Sequence, residues 1–191
     1  MSIEATDIWC EACNFRSSSG RVWGCFIYRF GSPDRLETNV EREAGWCQHC
    51  ANIEAIEDLT ARDRLEKELE QELTKLQRIS RSLLYRLFGI GKDQVNRVRA
   101  GIRRNEKELR ALTLMLQRRT APPRCLRCGS IEVAQIDLPD PQVGEVLNLK
   151  IRHPGCGGKL LARMSSVRLN MRYPRRIYDG EGNFIGAERS R

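Results

Sequence analysis

The spacing of apolar residues in the middle of the chain predicts two helices. Apolar side chains recur every three or four positions over residues 53–59 and, after a gap near Arg62, over residues 65–87, where Leu73 is one of them. This spacing is the period of an amphipathic helix. A second series spans residues 95–116 in unbroken three-four alternation and places Asn105 on its apolar seam. The glycines within residues 89–91 indicate a short turn, so we expect the two helices to pack antiparallel as a coiled-coil hairpin.

Asn105 is the one polar residue in the second series. A buried Asn on a helical seam commonly fixes register or oligomeric state at some cost in stability, but an exposed end of the seam would explain it equally well. A two-helix hairpin buries little apolar surface by itself. Homodimerisation into a four-helix arrangement is therefore a further hypothesis.

Alternating or β-branched segments on both sides of the helices predict strands. The first module has a predicted hairpin at residues 21–40, turning at 31–34. After the helices, alternation predicts strands at residues 131–138, 146–151, 159–164 and 166–173, and a final hairpin over 178–185. The fold class predicted is α+β, with β-rich modules at 1–52 and 121–191 joined by the helical hairpin at 53–120.

Length and composition narrow the class of protein. A chain of 191 residues with 40% hydrophobic and 6% aromatic residues is too small for a large multi-domain enzyme, and it shows no apolar run that would span a membrane. We recognise no secretory or transit segment at Met1, so the expected location is cytoplasmic, with nucleoid or nuclear association as an alternative.

The net charge of +8 is concentrated in two regions. Residues 78–104 carry eight basic side chains and one acidic, and residues 150–191 carry ten basic and three acidic. Exposed arginines often do no more than keep a surface solvated. They also bind phosphates well, and these are the candidate nucleic-acid contacts: Arg78, Arg81, Arg86, Lys92, Arg97, Arg99, Arg103, Arg104, Arg168, Arg172, Arg175 and Arg176.

Six of the eight cysteines form three Cys-x-x-Cys pairs, and an aligned His-x-x-Cys makes a fourth. A two-residue spacer lets one tight turn aim two ligands at one ion, and Zn²⁺ takes two such turns to complete a tetrahedron. Three pairs without a thioredoxin-like βαβ pattern disfavour a redox role. The candidate metal ligands are Cys10, Cys13, Cys47, Cys50, Cys125, Cys128, His153 and Cys156.

The order of these ligands along the chain predicts two sites, one in each module. The first would join Cys10 and Cys13 to Cys47 and Cys50, with the latter pair in the first turn of a helix that begins near residue 53. A knuckle, a hairpin and a helix with the last two ligands resemble a treble-clef zinc finger over residues 8–60. The second site would join Cys125 and Cys128 to His153 and Cys156.

The second site resembles a zinc ribbon over residues 124–165, with His153 where that family more commonly has cysteine. Each of its knuckles has glycine directly after the last ligand, as a tight left-handed turn requires. Both sites have four protein ligands, so we predict two structural zinc ions and no open catalytic position. We expect Cys25 to be a small core residue and His49 to be exposed.

These patterns support two functional hypotheses. The leading hypothesis is a non-enzymatic zinc protein that binds DNA or RNA as an accessory or regulatory factor. Basic and aromatic residues interleave over residues 168–178, which suits single strands if the rings are not core. The alternative is an adaptor that docks into a larger protein complex through its coiled coil and zinc modules. No nucleophile elbow, phosphate loop or spaced carboxylate pair indicates an enzyme.

Overall fold

The computed structural model describes residues 2–31, 36–81, 92–138, 144–170 and 173–189. Over these residues it is a mixed α+β structure with two α-helices and several small sheets. The strands are β1 Ser2–Cys10, β2 Arg16–Ser18, β3 Cys25–Phe30, β4 Leu36–Asn39, β5 Arg42–Cys47, β6 Asn52–Glu57, β7 Val133–Gln135, β8 Val146–Arg152, β9 Lys159–Asn170, β10 Arg175–Tyr178 and β11 Phe184–Glu188. The helices are α1 Ala61–Arg81 and α2 Lys92–Arg118, and Ser19–Arg21 forms a 3₁₀ turn.

The chain divides into two compact units. One consists of residues 1–29, 39–58 and 120–191, and the other of residues 30–38 and 59–119. The first unit therefore contains all the candidate metal ligands, and the second contains the helices together with residues 30–38 of the predicted first module. Within the described residues, neither helix combines the length and apolar character needed to cross a membrane.

The first sheet of the larger unit pairs the N-terminal strand with strands that follow the helices. Its strand order is β2-β1-β9-β8, and β1 pairs antiparallel with β9 from Ser2↔Asn170 to Cys10↔Leu160. The sequence prediction did not include β1, although Ala5, Ile8 and Cys10 of this strand are buried. Because β9 is paired with β1 as well as with β8, the C-terminal strands are part of a sheet that begins at residue 2.

The next sheet has the order β6-β5-β7 and corrects two predictions. Residues 52–57 form strand β6, whereas the sequence predicted the start of a helix at residue 53. The apolar spacing of Ile53 and Ile56 in so short a segment is compatible with either structure, and pairing along β5 decides it. Strand β7 pairs with β5 and not with β8 or β9, so the three predicted ribbon strands are divided between two sheets.

These two sheets share one apolar core. Its buried members come from both sheets and from the segment after β7, and they are Ile8, Cys10, Ala44, Trp46, Ile53, Ile136, Leu149, Leu160 and Ala162. Strand β6 is buried along both faces, including the carboxylates of Glu54 and Glu57, which are 1% and 3% exposed. Glu57 accepts hydrogen bonds from Tyr28 Oη at 2.6 Å and from the Arg124 amide at 2.8 Å. Buried carboxylates with such partners are tolerated in a strand.

Strands β10 and β11 form the hairpin that was predicted near the C-terminus. Asp179 begins its turn and accepts hydrogen bonds from the amides of Glu181 and Asn183 through Oδ1, and Gly182 has a φ of 78°. On its other side β10 pairs in parallel with β3, from Arg175↔Cys25 to Tyr178↔Tyr28. Cys25 is half-buried at the start of β3.

The helical unit buries most of the predicted seam of α2. Val95, Val98, Ile102, Asn105 and Leu112 are buried, and the next fully buried position is Met115, one residue before the predicted Leu116. Across from this seam, Asn105 Nδ2 donates to Glu72 Oε2 at 3.3 Å. The sequence placed Leu73 on the seam of α1, but Leu73 is 42% exposed and Glu72 takes the position facing α2. The predicted glycine turn at residues 89–91 lies outside the described residues.

Candidate metal centres

The first cluster unites residues from the N-terminal segment and from the part of the chain after the helices: Cys10, Cys13, His153 and Cys156. Cys10 ends β1, while His153 and Cys156 lie in the turn between β8 and β9. Because β1 pairs with β9, Cys10 lies next to that turn, and the Glu11 amide donates to the Lys159 carbonyl at 3.1 Å. Strand pairing thus brings together two knuckles separated by about 140 residues.

The ligand atoms of this cluster surround a common point. Sγ of Cys10 is 3.4 Å from Sγ of Cys156, and Nδ1 of His153 is 3.4 Å from Sγ of Cys13 and 3.2 Å from Sγ of Cys156. All four lie within 4.8 Å of one another. Ligands about 2.3 Å from a tetrahedral zinc ion are about 3.8 Å apart, so a small expansion accommodates the ion.

Glycines shape the turn that holds His153 and Cys156. Gly157 has a φ of 72°, and its amide donates to the His153 carbonyl at 2.7 Å. A Cβ on Gly158 would lie 2.6 Å from both Sγ of Cys10 and Cβ of Ala12. The predicted need for glycine after the last ligand is confirmed at Gly157, and Gly158 is needed for close approach of the other knuckle.

Two aromatic rings orient the imidazole of His153. The ring of Phe15 stacks on it with centroids 4.7 Å apart and an angle of 27°, and Trp46 meets it edge-on at 5.3 Å. Trp46 is buried and precedes Cys47, a ligand of the second cluster. Trp46 is thus adjacent in sequence to one cluster, but its contact with the other cluster follows only from the tertiary structure.

The second cluster consists of Cys47, Cys50, Cys125 and Cys128, whose sulfur atoms also lie within 4.8 Å of one another. The first pair occupies the turn between β5 and β6, and Sγ of Cys47 is 3.5 Å from Sγ of Cys128. The second knuckle is held against β6 by a bridge between Ile56 and Cys125 and by the Leu126 amide, which donates to the Ala55 carbonyl at 2.9 Å. Gly129, after the last ligand, has a φ of 77°.

This arrangement corrects the predicted pairing of the knuckles. Each cluster takes one pair from the N-terminal segment and one from the C-terminal segment, so no cluster lies within one predicted module. A Cys-x-x-Cys knuckle supplies two of the four ligands, but its sequence does not specify which other knuckle supplies the remaining two. The pairing of β1 with β9, and of β5 with β6 and β7, decides which knuckles meet. Cys50 therefore lies in the turn between two strands, and not in the first turn of a helix.

The pKa values of Cys50 and Cys125 are raised above that of an ordinary thiol, whereas those of Cys10 and Cys128 are lowered. Burial raises the pKa of Cys125 to about 12, and burial with hydrogen bonding to Cys128 raises that of Cys50. Burial also acts on Cys10 and Cys128, but hydrogen bonds from backbone amides and neighbouring thiols lower the pKa of both below the ordinary value. A divalent cation would offset the repulsion between thiolates, so metal binding is expected to release protons.

The donor sets fit two structural zinc ions. Cys₄ and Cys₃His are both common tetrahedral zinc sites, and four protein ligands at each cluster fill the coordination sphere. Thiolate and imidazole favour zinc over magnesium or calcium. Cys25 belongs to neither cluster, and His49 is exposed in the turn between Cys47 and Cys50, as predicted.

The predicted nucleic-acid residues occupy different environments. On the helices Arg78, Arg81, Arg97, Arg99, Arg103 and Arg104 are all exposed. Arg175 lies 3.6 Å from Glu188, and Arg176 lies over the Phe184 ring at 4.9 Å and donates to the Arg127 carbonyl at 3.3 Å. Arg168 belongs to β9 and Lys92 begins α2, while Arg86 and Arg172 lie outside the described residues.

No protein-family model matches this chain, and neither a curated protein nor a solved structure shows significant similarity to it.

Proposed function

We propose that this chain is a non-enzymatic, zinc-stabilised nucleic-acid-binding protein that acts as an accessory or regulatory factor. The observation that supports this proposal best is the group of exposed arginines at the end of α1 and in the first half of α2. Within the described ranges, none of Arg97, Arg99, Arg103 and Arg104 has a carboxylate within ion-pair distance. Arginines without carboxylate partners remain available to phosphates.

An antiparallel hairpin would gather these arginines at one end of the helical unit. The contact between Glu72 and Asn105 supports this arrangement. Glu72 lies nine residues before the end of α1 at Arg81, and Asn105 lies thirteen residues after the start of α2 at Lys92. Similar distances from the connecting segment are what an antiparallel register requires, so Arg78 and Arg81 would lie near Arg97 and Arg99.

Binding of a labelled oligonucleotide across a salt series tests this function. Contacts with several phosphates should make the affinity fall steeply as salt rises, with little dependence on base sequence. Reversing the charge of Arg97, Arg99, Arg103 and Arg104 to Glu should reduce affinity at least about 100-fold at low salt. The matched control reverses four exposed residues of the same helices outside 78–104: Lys67, Lys75, Lys107 and Arg110.

Both quadruple variants change the net charge by the same amount, so a difference between them locates the interface. Equal loss in the two variants would indicate only a general effect of charge. No binding of DNA or RNA by the unmodified protein, even at low salt, would refute the proposed function.

The alternative function, a protein-interaction adaptor, is favoured by one observation on α1. Leu73 is 42% exposed beside the seam that packs against α2, where it offers apolar surface to a partner or a second copy. Sedimentation of the protein and of its Leu73→Gln variant tests this hypothesis. A monomer at all concentrations, together with affinity purification that recovers only nucleic acid, would exclude the adaptor.

A further inference from the structure

A cavity of about 480 Å³ lies within the larger unit, beside the knuckle of the second metal cluster but lined by none of the metal ligands. Its walls come from the 3₁₀ turn and the start of β3, from β6, from the knuckle at 126–127 and from residues 173–176. This volume is in the range of cavities that hold small organic ligands.

The cavity has an excess of positive charge. Arg21, Arg127 and Arg176 line it together with a single carboxylate, Glu54. Arg21 Nε donates to Glu54 Oε1 at 3.0 Å, and Arg127 Nε lies 3.7 Å from the same oxygen. Glu54 is only 1% exposed, so it is held by these guanidinium groups and does not itself reach solvent. Since three guanidinium groups share one carboxylate, the cavity keeps a net positive charge, which favours the binding of an anion.

Arg176 supplies an unmet hydrogen-bond donor at this place. Its Nε atom is buried and has no hydrogen-bond partner among the described residues. The Nη2 atom of the same side chain donates to the Arg127 carbonyl at 3.3 Å, which holds Arg176 beside Arg127 at the cavity wall. Arg127 is 58% exposed at the same cavity, so its charged group can reach a ligand from solvent.

Aromatic rings form the rest of the wall. Trp23, Phe26 and Tyr173 line the cavity, and Trp23 is 39% exposed. Tyr173 Oη donates to the Gly20 carbonyl at 2.9 Å, which fixes that ring. The guanidinium of Arg42 lies 6.0 Å from the centre of the Trp23 ring and 5.3 Å from that of Phe26. An exposed ring beside three guanidinium groups that share one carboxylate is suited to a ligand that is both planar and anionic.

Trp23 also lines a neighbouring cavity of about 690 Å³, together with Arg42 and residues 135–138. The same ring thus borders two cavities, and the second cavity also has two carboxylates in its wall, those of Glu43 and Asp137. An anionic group of a ligand is therefore expected in the first cavity, where basic side chains are in excess.

We propose that the cavity holds one nucleotide of a single-stranded nucleic acid, with the base against Trp23 and a phosphate at Arg127 and Arg176. This inference rests on the proposed function and adds a second contact region to the helical arginines. Stacking on an aromatic ring tolerates every base, so binding here depends little on sequence.

Two measurements with a labelled 15-nucleotide oligothymidylate test the inference. Fluorescence anisotropy gives the affinity, and quenching of the protein's tryptophan fluorescence reports contact of a base with a tryptophan ring. Trp23→Ala should weaken binding about tenfold and remove most of the quenching. Arg127→Gln should weaken binding and make it less dependent on salt. Trp9→Ala is the matched control, because Trp9 also has a guanidinium over its ring, that of Arg163 at 5.5 Å, but lies in β1 and does not line the cavity.

The outcomes separate this inference from the proposed function. If the unmodified protein binds the oligonucleotide and both Trp23→Ala and Arg127→Gln bind equally well with unchanged metal content, the cavity is not a nucleotide site, although the proposed function stands. If the unmodified protein does not bind at all, both fail. If polyglutamate competes as well as the oligonucleotide and shows the same dependence on Trp23, the ligand is an acidic peptide and the nucleotide assignment is overturned.

Discussion

The Sγ atoms of Cys10 and Cys156 are 3.4 Å apart although 146 residues separate them in the chain. They join the end of β1 to the turn between β8 and β9, so the first metal cluster connects the N-terminal strand to the C-terminal half. The second cluster does the same for the β5–β6 turn and the knuckle at 125–128. Each metal ion would therefore crosslink segments that the helical unit separates in sequence.

Pairs of substitutions should reveal which knuckles share an ion. The Cys13→Ser/Cys156→Ser variant alters one cluster only, so it should retain one zinc ion per chain. The Cys13→Ser/Cys50→Ser variant alters both clusters and should retain none. Metal analysis of the purified proteins checks this expectation. The pairing predicted from sequence order gives the opposite result, with one ion in the second variant and none in the first.

Removal of the metal should destabilise the larger unit as a whole. A structural zinc site contributes directly to folding free energy, and here both sites connect distant segments. We expect a strong chelator to lower the midpoint of thermal unfolding by about 10 °C or more. Calorimetry before and after chelation measures the change, and readdition of zinc is the control. An unchanged midpoint after complete metal loss would contradict a structural role.

Gly45→Ala should destabilise the protein because β5 is the central strand of its sheet. A Cβ at this position would lie 1.8 Å from Cδ1 of Ile56 and 2.7 Å from the Ala134 carbonyl oxygen. The side chain of Ile56 can move, but the backbone of β7 must also shift, so we expect a loss of about 1 to 3 kcal/mol. The control is Gly186→Ala in β11, where a Cβ meets no atom within 4 Å. Denaturant unfolding compares the two, and equal stabilities would refute the expectation.

The effects of substitutions at Glu72 and Asn105 on the free energy of unfolding should be coupled. Asn105→Leu leaves the Glu72 carboxylate facing an apolar seam and should cost about 1 kcal/mol or more. The Glu72→Leu/Asn105→Leu variant restores an apolar pair and should be at least as stable as the unmodified protein. A double-mutant cycle by denaturant unfolding gives the coupling energy. If the losses in unfolding free energy of the two single variants simply add in the double variant, the hydrogen bond at 3.3 Å contributes no measurable stability.

Tyr178→Phe should change the response to alkaline pH. Tyr178 donates to the Leu126 carbonyl, and burial raises its pKa to about 12. In the unfolded chain the phenol ionises near pH 10, so between about pH 10 and 12 only the unfolded state releases this proton. The stabilisation is therefore complete below pH 10 and decreases as the pH rises to 12.

The Phe variant lacks both the hydrogen bond and this proton. We expect it to be less stable by about 1 kcal/mol at pH 8, with a difference that narrows above pH 10. Denaturant unfolding of the metal-loaded proteins across this range measures the difference. Parallel curves for the two proteins would exclude Tyr178 as a source of alkaline destabilisation.

The sequence by itself determined the local features of this protein. The heptad spacing of residues 95–116 predicts α2 because one face of a helix must be apolar to pack, and the buried positions Val95, Val98 and Ile102 agree. Turn chemistry predicts the β10–β11 hairpin. The ligand types and their spacing predict two four-ligand metal sites, because a knuckle is formed by consecutive residues and needs no distant partner to be recognised.

The tertiary structure decided every question that involves residues far apart in the chain. Pairing of β1 with β9 placed Cys10 beside Cys156, and pairing of β5 with β6 made residues 52–57 a strand. The cavity around Trp23 likewise assembles residues from 18 to 176. The physical reason is that a short segment specifies its own backbone preference and the need for a partner, while the identity of the partner depends on which pairing buries the most apolar surface of the whole chain.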